Sequence, residues 1–142
     1  MKLFGTILLA GIISLLGGLV ATLALSAVTP CFSDKAGCGL GEVYRLFFVP
    51  GYVLLAMIGL GISAAGRNRE HALKLTMFVL LLVAIFLVVL AVGSDLSAGR
   101  TTSKGDLADA MQATISYSVV VIAQWFLIRR YLRWRELQRA AA

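Results

Sequence analysis

Four long runs of this chain carry no charged residue: Leu3–Val28, Leu46–Gly66, Leu75–Ser94 and Ala110–Ile128. A helix needs about 20 predominantly apolar residues to cross a bilayer, and each run meets or approaches that length. In hydrocarbon no water is available to backbone amides and carbonyls, so only helices and closed barrels satisfy them all. The runs lack the strict two-residue alternation of a barrel strand, which leaves helices. Composition agrees. Of 142 residues, 60% are hydrophobic and 14% charged, where a soluble domain carries roughly a quarter charged residues. The predicted fold class is all-α, a polytopic membrane protein built as one four-helix transmembrane bundle. Its helices are placed at about residues 3–28, 44–65, 74–93 and 108–128, followed by a basic tail at 129–142.

The first run begins Met1-Lys2 and ends near "ALSA", as a secretory leader does. A leader's apolar region runs about 7–15 residues, and this one has 26. It is read as a retained helix.

Charge orients the bundle. With four helices both termini share a side, together with the loop between helices 2 and 3. That side holds Lys2, Arg67, Arg69, Lys74 and the arginines of the tail, nine basic residues against four opposite (Lys35, Arg45, Arg100, Lys104). Short cytoplasmic loops carry the excess of Lys and Arg, so both termini are expected in the cytoplasm, with a bacterial inner membrane as the setting. The net charge of +6 reflects that topology and an attraction to anionic lipid. It does not indicate a nucleic-acid partner.

The chain's two cysteines, Cys31 and Cys38, flank "FSDKAG" in the first outer loop. Disulfides persist outside the cytoplasm, and a bridge closing this short loop is worth about 2.5 kcal/mol on the chain-entropy model. A structural disulfide is expected. A quinone-linked thiol oxidoreductase is the alternative. Catalytic couples are commonly spaced C-x-x-C, whereas this pair is spaced C-x6-C and has no second pair to relay electrons. Zinc takes four ligands, and two cysteines with one distant histidine do not supply them, so no metal site and no cofactor are expected.

Helix 1 places a small residue at every fourth position: Thr6, Ala10, Ser14, Gly18, Thr22 and Ser26. Such positions share a face, and small side chains let membrane helices approach closely. Helix 2 repeats the device with Gly59, Gly61 and Ser63. These faces are read as packing surfaces, inside the bundle or against another subunit. Pro50-Gly51 predicts a kink in helix 2, because proline lacks the amide donor and presses on the preceding turn. Tyr44, Phe48 and Tyr52 make an aromatic row, read as an interfacial belt, with a slot for an isoprenoid tail or quinone as the alternative. Helix 3 is apolar all round and is expected to be the most lipid-exposed. Helix 4 carries a polar stripe, Gln112, Ser116 and Gln124. These groups are costly against lipid and are expected to point inward or to a partner. Beyond it Arg129, Arg130 and Arg133 are placed to snorkel to lipid headgroups.

No Asp, Glu, Lys, Arg or His falls within the four charge-free runs that would cross the hydrocarbon, and proton-coupled transporters normally need such a group there. Small multidrug-resistance transporters share the number of helices, yet helix 1 here lacks their glutamate. The sequence therefore predicts no catalytic residue. The expected function is non-catalytic: a membrane protein acting by helix packing, as an accessory, assembly or inhibitory subunit or as a homo-oligomer. Its expected partners are lipids and another membrane protein or itself. Besides the oxidoreductase, the alternative is a small channel or carrier lined by Gln112, Ser116 and Gln124.

Overall fold

The computed structural model describes the backbone of residues 2–28, 35–97, 99 and 104–142, with side chains described at 2–28, 43, 45–90, 93, 97, 99 and 110–142. All four elements are helices: α1 (Lys2–Val28), α2 (Lys35–Ala65), α3 (Arg69–Ser97) and α4 (Lys104–Ala141). Each contains a stretch long and apolar enough to cross a membrane. Every helix touches its neighbour in sequence, and α4 returns to pack along α1 in the most extensive contact of the bundle. Helices α2 and α4 also meet across the middle, while among the described residues α1 and α3 do not touch. The cross-section is thus a rhombus whose short diagonal joins α2 and α4.

Three helices run further than the apolar runs. Predicted to start near 44, α2 begins at Lys35. A helix satisfies its own backbone and need not stop where hydrocarbon ends. The tail at 129–142 is not a separate segment. It continues α4 to Ala141, giving one helix of 38 residues, about 57 Å long. No glycine or proline lies between Ile128 and Ala142 to stop it. α3 opens at Arg69, five residues before the expected start. Pro50 sits inside the unbroken run of α2 with its ring exposed.

The main core joins Ala10 of α1, Ala56, Leu60 and Ala64 of α2, Leu73 and Leu80 of α3, and Tyr117, Val121, Ile128 and Leu132 of α4. A second cluster, Val49, Val53 and Val120, lies between α2 and α4. The alanines belong to the logic of the fold. Between helices in lipid the hydrophobic drive is weak and close packing takes its place. α3 is the least buried helix, with Leu75, Phe78, Val79, Leu82, Ile85, Phe86 and Val89 all outward.

Candidate functional site, a polar seam along α4

The small-residue row of α1 faces into the bundle. Ala10, Ser14, Gly18 and Thr22 are buried, and Gly11 joins them. At the ends of the row, Thr6 and Ser26 are half-buried. Gly18 makes the tightest approach. A Cβ there would lie 2.6 Å from Cγ2 of Val120 on α4 and 2.9 Å from Cγ1 of Val49 on α2. Gly17, its neighbour in sequence, has nothing within 4 Å of the same position. The α2 glycines split between two partners: Gly59 abuts Thr76 and Leu80 of α3, and Gly61 abuts Ile7 of α1.

The stripe on α4 meets this row. Gln112, Ser116 and Gln124 are all buried. At Gln124 the amide Nε2 donates to Ser14 Oγ at 2.9 Å and to the Val53 carbonyl at 3.1 Å. Ser14 donates its own proton to the Gly11 carbonyl at 2.9 Å, so both neighbours of the amide are acceptors. That fixes the amide orientation and leaves Oε1 buried without a partner. Two turns further along α1, Thr22 donates to the Gly18 carbonyl at 2.8 Å. Its oxygen lies 2.9 Å from Ser116 Oγ, and with the Thr22 proton already engaged, Ser116 is the donor. Gln112 reaches the Leu25 carbonyl at 3.5 Å and accepts from the Arg45 guanidinium.

Two further bonds tie in α3. Tyr117 donates to the Leu80 carbonyl at 3.0 Å, and its ring stands edge-on to Tyr52, 5.3 Å between centroids. Ser63 donates to Gly59, so the 2.5 Å contact between Ser63 and Thr76 runs from the Thr76 hydroxyl. In each hydroxyl pair one member bonds back to its own helix and accepts from its neighbour. A serine or threonine hydroxyl thereby caps a local carbonyl and still links two helices.

Tyr52, Leu55, Val83, Leu87, Ala113 and Tyr117 line an apolar cleft of about 320 Å³ among α2, α3 and α4. Of the aromatic row, Phe48 stacks on Tyr52 at 6.5 Å, and the side chain of Tyr44 lies outside the described residues. At the end holding both termini, Arg129 and Arg133 of α4 approach the Glu70 carboxylate of α3 at 3.1 and 3.4 Å. The headgroup residues read from sequence thus include two that engage an acid of the chain itself, while Arg130 is exposed. The Arg129 guanidinium also lies 5.0 Å over the Trp125 ring.

The bridge expected between Cys31 and Cys38 lies outside the described residues. Among the described residues no three His, Cys, Asp or Glu side chains converge. Sequence reasoning found the stripe and the row through their four-residue spacing. It missed Arg45, read as an outer-loop charge, although its position one residue before an apolar run lets a long side chain fold back along the helix. Thr76 was missed because one hydroxyl in an apolar helix has no periodicity to mark it. No family model matches this chain, and neither a curated protein nor a solved structure shows significant similarity to it.

Proposed function

We propose that this chain is a multi-pass integral membrane protein, of the bacterial inner membrane with both termini cytoplasmic, that acts non-catalytically through helix packing. It serves as an accessory, assembly or inhibitory subunit of a larger membrane complex, or as a homo-oligomer. One observation carries the reading: in the apolar stretches the hydroxyls of Ser14, Thr22, Ser63, Thr76, Ser116 and Tyr117 and the amide nitrogen of Gln124 bond to other helices of the same chain or to their own backbone. What is left on the outside is apolar, above all on α3. Such a surface engages lipid or another apolar helix. Because the small-residue rows of α1 and α2 are occupied within the chain, a partner approaches through α3 and the outer faces of α1 and α2. A path for solutes lined by Gln112, Ser116 and Gln124 would require breaking the bonds these residues make to α1 and α2.

The test is affinity purification of the full chain from native membranes in mild detergent, with measurement of particle mass and identification of retained proteins. A stoichiometric membrane partner or a defined homo-oligomer is expected, lost on Phe78→Ala/Leu82→Ala/Phe86→Ala. A monomer with no partner, or catalysis of quinone-dependent thiol oxidation, would overturn the reading.

A further inference from the structure

Past the last apolar turn, α4 presents two cationic faces with different fates. On one, Arg129 and Arg133 are engaged by Glu70. On the other, Tyr131, Trp134, Arg135, Gln138 and Arg139 recur at the three- and four-residue spacing of a single helical face. This face looks onto the first two turns of α1, where Lys2, Gly5, Thr6 and Leu9 recur at the same spacing, and the two faces border an open cavity of about 650 Å³. Among the described residues three cations line it, Lys2, Arg135 and Arg139, together with Ala142, and no acidic side chain does. The Arg135 guanidinium is held 5.8 Å over the Tyr131 ring, a contact that leaves its N–H donors available. At Gly5 nothing lies within 4 Å of a would-be Cβ, so one wall of the cavity is bare backbone.

We propose that this cavity binds the phosphate headgroup of an anionic phospholipid. Three cations gathered without an acidic side chain favour an anion, and guanidinium groups match phosphate oxygens in geometry. The volume falls within the range of small-molecule sites and has room for more than a phosphate. The apolar side of the cavity identifies a lipid as the source. Leu9, on its wall, begins an outward stripe that continues through Ile13, Leu16 and Val20, a track along which an acyl chain would lie. Trp134 and Tyr131 stand beside the cations, as aromatic residues do at headgroup level. A free phosphate would use only the charged half of this surface. The inference rests on the membrane reading above, which is tested separately by side-specific labelling.

The experiment uses the full chain in mild detergent and follows thermal unfolding and lipid retention by native mass spectrometry. The probes are dioleoylphosphatidylglycerol, dioleoylphosphatidylcholine and inorganic phosphate. Phosphatidylglycerol should be retained and should raise the melting temperature, and phosphatidylcholine should do neither. R135Q/R139Q should weaken phosphatidylglycerol binding roughly 10- to 30-fold, the factor expected for two interfacial cations. R67Q/R69Q removes equal charge from the same end of the bundle outside the cavity and should leave binding intact. Gly5→Leu keeps every charge and obstructs the cavity, and it decides the matter if R135Q/R139Q fails to fold: binding should fall. Equal loss in R67Q/R69Q, or undiminished binding in R135Q/R139Q or Gly5→Leu, would overturn the site. Stabilisation by inorganic phosphate equal to that by the lipid would overturn the lipid as its occupant.

Discussion

Gln124 and Ser14 meet at 2.9 Å opposite the midpoint of α1, and the same amide reaches the Val53 carbonyl of α2. One side chain therefore joins three helices where no water competes. Interhelical bonds in membranes average about 0.6 kcal/mol and reach about 1.7. A double-mutant cycle with Gln124→Leu and Ser14→Ala should give a coupling energy in that range. Gln124→Leu alone should cost little more, because it also removes the buried unpartnered Oε1, whose desolvation opposes folding. Reversible unfolding in detergent measures both. A coupling energy indistinguishable from zero would show that the two residues are neighbours without being partners.

Tyr117 offers a second, independent link. Its hydroxyl donates to the Leu80 carbonyl of α3, and its ring packs edge-on to Tyr52. Tyr117→Phe keeps the ring and removes the bond. It should lower stability by about 0.5–1.5 kcal/mol, and amide exchange should rise in α3 more than in α1, which α3 does not touch. Equal loosening of α1 and α3 would contradict this assignment.

The number of helices and the inward stripe of α4 were legible because their signals are local. A span is a run without charge, and Gln112, Ser116 and Gln124 announce a face by spacing alone. The row from Thr6 to Ser26 was legible as a packing surface, but its neighbour was not: that Gly18 meets Val49 and Val120 depends on how α2 and α4 fold back. The acceptors at Leu25, Val53 and Leu80 are backbone carbonyls, which every residue possesses and no sequence marks. The extension of α2 back to Lys35 was hidden because glycine-rich sequence reads as loop. The cavity between Lys2 and Arg135 exists only because the two ends of the chain come together, a relation with no counterpart in sequence spacing.

The nine-to-four division of basic residues predicts an orientation in the membrane, with both termini cytoplasmic. Single cysteines at Asn68 and Ser97, in a chain lacking Cys31 and Cys38, lie at opposite ends of α3. An impermeant maleimide applied to intact cells should label Ser97→Cys and spare Asn68→Cys until the membrane is opened. The reverse pattern would invert the protein.

The pair Cys31 and Cys38 should be oxidised in protein purified without reductant. Replacing both with serine should lower stability by about 2.5 kcal/mol if loop closure is the whole effect, with helix content unchanged by circular dichroism. Two free thiols in freshly prepared protein would remove the staple. A readily reduced bond whose dithiol form passes two electrons to added quinone, giving quinol and re-forming the disulfide, would favour the redox alternative, since structural disulfides resist reduction.

The two adjacent glycines of α1 provide the most direct test of how this bundle is held together. At Gly18 a methyl group would have to occupy space 2.6 Å from Val120 and 2.9 Å from Val49, both β-branched and both buried. A β-branched side chain is stiff about its first torsion, so neither valine can swing aside and the helices themselves must part. Gly18→Ala should therefore destabilise the isolated chain by about 1–3 kcal/mol, the usual cost of overpacking, and Gly18→Leu by more. Gly17→Ala adds the same methyl one residue away into open space. It should be neutral or stabilising by up to about 1 kcal/mol, since alanine restricts the unfolded chain and favours helix. Gly11→Ala falls between them, because the atom it meets is Sδ of Met57, the flexible part of an unbranched side chain. The expected order of stability, measured as melting temperature in one detergent, is Gly17→Ala, then Gly11→Ala, then Gly18→Ala. If Gly18→Ala instead leaves the melting temperature unchanged and abolishes only association with a partner, the row on α1 faces outward in the assembled protein, and the packing of α1 against α4 described above is wrong.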